Sequence, residues 1–205
     1  MACLKATRRP NHFHCKAKKY TMSLPEGIIP SHLTEWENGH QNFKTNLTAG
    51  ASFDMRLPLD FRDPTTLFDN YRATTGNFKW LIQHAIAQQW RLKALGNGWS
   101  LSELVKNTDG LVNTRELRLS FFVGNNMVDP DYTSHGGAPE NLFFSQCGNS
   151  IEIINRHLES RGRSLKASGA SNQQTIVGAT STGTHGAAYK VGAVHDSIVG
   201  LHLVC

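Results

Sequence analysis

At 205 residues, with 39% apolar and 18% charged side chains, the chain has the length of one good-sized domain or two small ones, which excludes a collagenous or generally disordered polymer. The net charge of +5 is unevenly placed: Lys5, Arg8, Arg9, Lys16, Lys18 and Lys19 precede the first acid, Glu26, leaving 15 basic against 16 acidic residues in the rest. The body is near neutral, so nucleic-acid binding is disfavoured, and no apolar run reaches the roughly 18 to 20 residues of a membrane-spanning helix.

Residues 1–55 read as a basic, poorly ordered leader, polar and weakly periodic, with Pro25, Gly27, Pro30, Gly39 and Gly50 as punctuation. His12, His14 and Cys15 lie close together but lack the spaced partners of a metal site, so no metal is expected. Cys3, Cys15, Cys147 and Cys205 form no CxxC pair and no signal-peptide core precedes them, which points to a reducing, cytoplasmic setting. In 77–90, Phe78, Leu81, Ile82, Ala85, Ile86 and Trp90 recur at spacings of three and four and predict a helix. Residues 91–95 alternate as a short strand, followed by a glycine turn. Strands are then expected at 110–113, 117–123 and 141–146, with 125–141 as a long loop. A second helix is expected over 150–160, capped by Asn149 or Ser150 and ended by Gly162. A short return strand at 164–167, a Gly/Ser/Thr-rich stretch at 168–186 and an apolar strand at 197–204 complete the reading.

Two glycine-rich segments about eighty residues apart carry the chemistry, because glycine lets main-chain N–H groups approach an anion with no Cβ in the way. The first is Gly96, Asn97, Gly98, Trp99, Ser100 and Leu101. It follows a strand but fails the G-x-G-x-x-G dinucleotide fingerprint at Leu101, and alone it also reads as an ordinary tight turn. The second runs through Gly178, Ala179, Thr180, Ser181, Thr182, Gly183, Thr184, His185 and Gly186 and offers small hydroxyls and N–H groups in one short, uncharged loop. Such a loop suits a buried pyrophosphate better than it suits a flexible linker.

These residues resemble the FAD-linked oxidoreductases of the vanillyl-alcohol-oxidase type, among them aldonolactone, alditol and cholesterol oxidases. The similarity rests on Ser171, on Gly178 to Ser181, on Gly183-Thr184-His185-Gly186, and on His195-Asp196-Ser197-Ile198-Val199-Gly200-Leu201. It covers roughly residues 60–205. The resemblance implies an α+β, PCMH-type FAD-binding domain of two small α+β subdomains over 56–205, the second incomplete. It implies that residues 96–101 wrap the FAD pyrophosphate from one side, that Ser171 and 178–186 line the other, and that Val199 meets the adenine end through its backbone.

Where members with covalent flavin often carry a His in the first loop, this chain has Trp99, so noncovalent FAD is expected. His185 reads as a structural residue of a tight loop, and no catalytic residue can be named. The function implied is the FAD-binding portion of an enzyme oxidising a CH–OH group of a polyol, sugar lactone or sterol-like alcohol by hydride transfer to flavin. The resemblance places the substrate pocket in a missing C-terminal domain or partner chain. The alternative left open is a noncatalytic binding or scaffold fragment with no turnover of its own.

Overall fold

The computed structural model describes residues 23–60 and 62–205. The basic arm before residue 23, with its His and Cys group, lies outside the described residues.

Short extended segments dominate the first part of the chain: β1 (Ile28–Ser31), β2 (Glu35–Glu37), β3 (Lys44–Asn46) and β4 (Ser52–Arg56). The leader expected up to residue 55 is therefore corrected from Ile28 onward. Alternation in β4 explains its role. Phe53 and Met55 are buried on one face and Asp54 points to the other. β4 pairs antiparallel with β1, and β2 with β3.

Then comes α1 (Leu67–Gln88), which starts ten residues before the stretch where apolar periodicity predicts a helix. The reason is chemical. Along its inward face α1 buries Asn70, Thr74 and Asn77 as well as Trp80, Leu81 and Ala85. Each polar member is satisfied: the Asn70 carboxamide accepts from Leu59 N–H, the Thr74 hydroxyl donates to the Asn70 carbonyl, and Asn77 Nδ2 donates to the Glu26 carbonyl. α1 ends at Gln89, whose φ of +58° closes the last turn by donating its N–H to the carbonyls of Ala85 and Ile86.

From there the chain enters β5 (Leu92–Leu95) and, after the glycine turn, β6 (Gly110–Glu116). The main sheet runs β1-β4-β6-β5, with β4, β6 and β5 mutually parallel and β1 antiparallel at one edge. α1 covers one face through a core of Ile28, Phe53, Met55, Trp80, Leu81 and Val112. A second core, Phe43, Leu47, Leu95, Val105 and Leu111, lies under the glycine turn. This α+β arrangement agrees with the class read from the sequence.

The remaining chain builds a third core. β7 (Ser120–Phe122) pairs antiparallel with β8 (Phe143–Ser145), and the intervening excursion, expected as a loop, contains the short helix α2 (Pro130–Ser134). Against this hairpin pack α3 (Ile151–Glu159) and α4 (Ile176–Ser181), burying Ile151, Ile154, Leu158, Ile176, Ala179 and Val194. Ser150 caps α3, its hydroxyl accepting from the Ile153 N–H at 3.2 Å, as the sequence predicts. The strand expected at 164–167 is absent, and 198–205 has no regular structure, with Val199, Leu201 and Leu203 left 71–77% exposed. Among the described residues no helix is long and apolar enough to cross a membrane.

Candidate functional site

Residues 96–101 leave the C-terminal end of β5, where the sheet stops and the chain must turn. Gly98 adopts φ +70°, a left-handed conformation that glycine takes without a Cβ clash, and Trp36 packs beneath it. Four successive carbonyls of this loop are held by the 38–42 turn. The Gly98 carbonyl accepts from Gly39 N–H at 3.0 Å, Trp99 from His40 Nε2 at 3.1 Å, Ser100 from Asn38 Nδ2 at 3.0 Å and Leu101 from Asn42 Nδ2 at 3.0 Å. The His40 and Trp99 rings meet edge to face.

On its other side the loop meets the second segment. Asn97 Nδ2 donates to the Gln173 carbonyl, and a Cβ built on Gly96 would stand 2.3 Å from Thr175 Oγ1. Only a glycine permits that approach without displacement. Thr175, 4% exposed, is fixed by the chain around it: Ile151 N–H donates to the Gln174 carbonyl, Ile176 N–H to the Asn149 carbonyl, and Ser150 bridges Thr175. The start of α3 thus positions the start of α4 against the first loop. Gln174 Oε1 is buried there with no protein partner.

The second segment differs from the short loop expected. Gly178, Ala179, Thr180 and Ser181 belong to α4, and their chemistry changes with that assignment. Ala179 is 1% exposed in the third core. Thr180 and Thr182 hydroxyls donate to the carbonyls of Ile176 and Gly178, so those protons are engaged within the helix and its end rather than free for an anion.

Past α4, Gly183 takes φ +70° and Thr184 N–H returns to the Ala179 carbonyl. His185 pairs as an isolated bridge with Ala193, and its Nδ1 donates to the Gly186 carbonyl at 3.0 Å. Ser171, half-buried, lies two residues before Gln173. Val199 is 77% exposed in the terminal segment and makes no hydrogen bond to either loop among the described residues.

The structure therefore brings together Gly96 and Asn97 with Gln173 and Thr175, with Gly178 next to Thr175, and leaves Val199 apart. Neither 96–101 nor 171–186 carries a carboxylate, lysine or arginine, so the site offers neutral donors. Sequence reasoning missed Asn38, His40, Asn42 and Thr175. The Asn-Gly-His-Gln-Asn composition of 38–42 signals a turn, but nothing local ties it to a loop sixty residues on.

No family model matches the chain. D-arabinono-1,4-lactone oxidase of Neurospora crassa is 31% identical over 123 residues, 60% of this chain and 19% of the relative. The crystal structure of cholesterol oxidase from B. sterolicum superposes with a TM-score of 0.53 at 15% identity, over 90% of this chain and 28% of that one. A solvent-stable cholesterol oxidase gives a TM-score of 0.44 at 16% identity, too low to establish a shared fold. The chain spans about a fifth of the length of the lactone oxidase. The family resemblance read from the glycine motifs stands on these findings: the chain has partial similarity to D-arabinono-1,4-lactone oxidase and, in fold, to cholesterol oxidase, covering only part of either.

Proposed function

We propose that this chain binds FAD noncovalently, with the diphosphate held where the 96–101 loop meets the start of α4. In this reading it is the cofactor-binding portion of an oxidoreductase acting on a CH–OH group. The observation that carries the proposal is the contact of Gly96 and Asn97 with Thr175 and Gln173, two segments about eighty residues apart, neither of which carries a carboxylate, lysine or arginine. The partial likeness to a lactone oxidase and a cholesterol oxidase supports the same reading.

The residues fit the group. Among the described residues, the N–H groups of Trp99, Ser100 and Leu101 donate to no protein acceptor, and those of Val177 and Gly178 are likewise unpaired. Neutral N–H donors of this kind bind phosphate oxygens without a countercharge. The extent of the proposed PCMH-type portion is revised. β1 and β4 belong to the main sheet and the first core, and the separate β2–β3 pair flanks the second core, so it begins near Ile28 rather than at residue 56.

When bound, FAD supplies the two-electron acceptor for hydride from an alcohol carbon. The chain's own residues bind and orient. The 96–101 loop presents N–H groups, Thr175 and Gln173 set its distance from α4, and Trp99 provides an indole that cannot form a histidyl–flavin bond. His185, its Nδ1 proton committed to the Gly186 carbonyl, shapes the loop rather than moving a proton in the reaction. Oxidation of a polyol, sugar lactone or sterol-like alcohol is proposed for a protein carrying this portion together with a substrate-binding region.

Titration of the purified chain with FAD tests the reading. Saturable quenching of flavin fluorescence is expected, and acid precipitation should release all the flavin into the supernatant. A chain that takes up no FAD refutes the proposal, and flavin that stays with the precipitate refutes the noncovalent part.

A further inference from the structure

We propose that the 38–42 turn is a carbonyl clamp that orients the 96–101 loop for a diphosphate, with Asn38, His40 and Asn42 as positioning residues that do not touch the ligand. This rests on the flavin reading above and deepens it.

Four consecutive carbonyls, from Gly98 to Leu101, each accept a hydrogen bond from one five-residue turn. All the described peptide bonds are trans, and across a trans peptide the N–H points opposite to the C=O. Holding those carbonyls therefore turns the N–H groups of Trp99, Ser100, Leu101 and Ser102 away from the turn. Ser102 N–H is taken by Ser100 Oγ at 3.3 Å. The other three have no protein acceptor among the described residues, which leaves three neighbouring N–H dipoles on a loop that itself carries no charged side chain, the arrangement that attracts an oxyanion.

The turn itself is built to hold its shape. Asn38 is 2% exposed, and its Oδ1 accepts from the N–H groups of Asn42 and Phe43 at 3.0 and 3.4 Å. Its Nδ2 reaches both Asn42 Oδ1 and the Ser100 carbonyl. Gln41 adopts φ +55°, which a residue other than glycine takes only at a cost. Phe43 anchors the turn in the core beneath the loop, against Trp36. A turn that merely filled space would have no need of three side-chain donors aimed at successive carbonyls.

Two exposed positions allow a test in the full chain. Asn42→Asp keeps the Oδ1 that Asn38 reaches but replaces the donor to the Leu101 carbonyl by a repelling oxygen. His40→Phe keeps a ring against Trp99 and removes only the donor. It adds no charge, so a loss common to both variants cannot be assigned to an introduced carboxylate. We expect FAD affinity to fall about tenfold for Asn42→Asp and a few-fold for His40→Phe, the scale of one lost hydrogen bond to an oriented loop. The melting temperature of the cofactor-free chain should fall by no more than the few degrees that one exposed hydrogen bond is worth.

Packing alone would not alter the phosphorus-31 resonances of the bound diphosphate. In FAD-saturated variants these should move toward those of free FAD. Unchanged affinity and unchanged resonances overturn the clamp, as does a drop in the cofactor-free melting temperature large enough to account for weaker binding. If the unmodified chain itself takes up no FAD, the flavin reading fails first and the clamp has no ligand to serve.

Discussion

Gly96 is the residue on which the meeting of the two segments turns, since its missing side chain is what brings the first loop against Thr175. Gly96→Ala would place a Cβ 2.3 Å from Thr175 Oγ1, with Thr175 Cγ2 at 3.1 Å. Overpacking of this kind costs about 1 to 3 kcal/mol, read from urea unfolding midpoints. Removing the obstacle should restore part of the loss. Gly96→Ala with Thr175→Ala is expected to show a favourable coupling in a double-mutant cycle, and strict additivity would mean that the two residues do not meet. Asp109 gives a pH dependence at the same scale. Its carboxylate accepts from the Arg91 main-chain N–H at 2.6 Å, and that hydrogen bond, followed by the Arg91 side chain, holds it below the ordinary Asp value. A carboxyl depressed on folding contributes stability that is complete above its unfolded value of about 4 and is lost as pH falls through the lower folded value. Asp109→Asn should therefore flatten the fall in unfolding free energy below about pH 4 and leave its slope near neutrality unchanged.

At the scale of elements, α3 was legible in full because each of its signals is local: a serine cap, isoleucines and a leucine at helical spacing, and Gly162 just past its end with φ +65°. Ser150→Ala is expected to cost about 1 kcal/mol in chemical denaturation, through the lost bond to Ile153 N–H. The first half of α1 was not legible, because its buried face is asparagine and threonine, and an apolar period cannot report a face that packs through hydrogen bonds. The strands before residue 56 were missed for a different reason. They are three to five residues long, one contains Pro30, and their stability comes from partners distant in the chain, such as β6 beside β4. α4 was read as a loop because glycine, serine and threonine are weak helix formers. What favours helix there is burial of Ile176 and Ala179 in the core shared with α3, which outweighs the weak local propensity.

Across the whole molecule, the two glycine segments were visible as a pair, whereas the turn that clamps one of them was not, since its role exists only once β5 and the 38–42 region are folded side by side. The same separation of local from distant partners governs the end of the chain. Residues 197–204 read as an apolar strand, yet Val199, Leu201 and Leu203 stand 71–77% exposed, and past Ile198 no main-chain N–H is bonded among the described residues. Tyr71 ties this segment down through its hydroxyl, 2.6 Å from His202 Nδ1. Three large apolar side chains at alternate positions on an unpaired segment present both an apolar stripe and free main-chain groups, the features that promote strand-to-strand association. Concentration-dependent self-association of the isolated chain is the expected result, measured by light scattering during size-exclusion chromatography. Val199→Lys with Leu203→Lys should suppress it without lowering the melting temperature, because neither side chain contributes to a core. A chain that remains monomeric at high concentration with both apolar residues in place would show that the stripe is covered by the molecule itself.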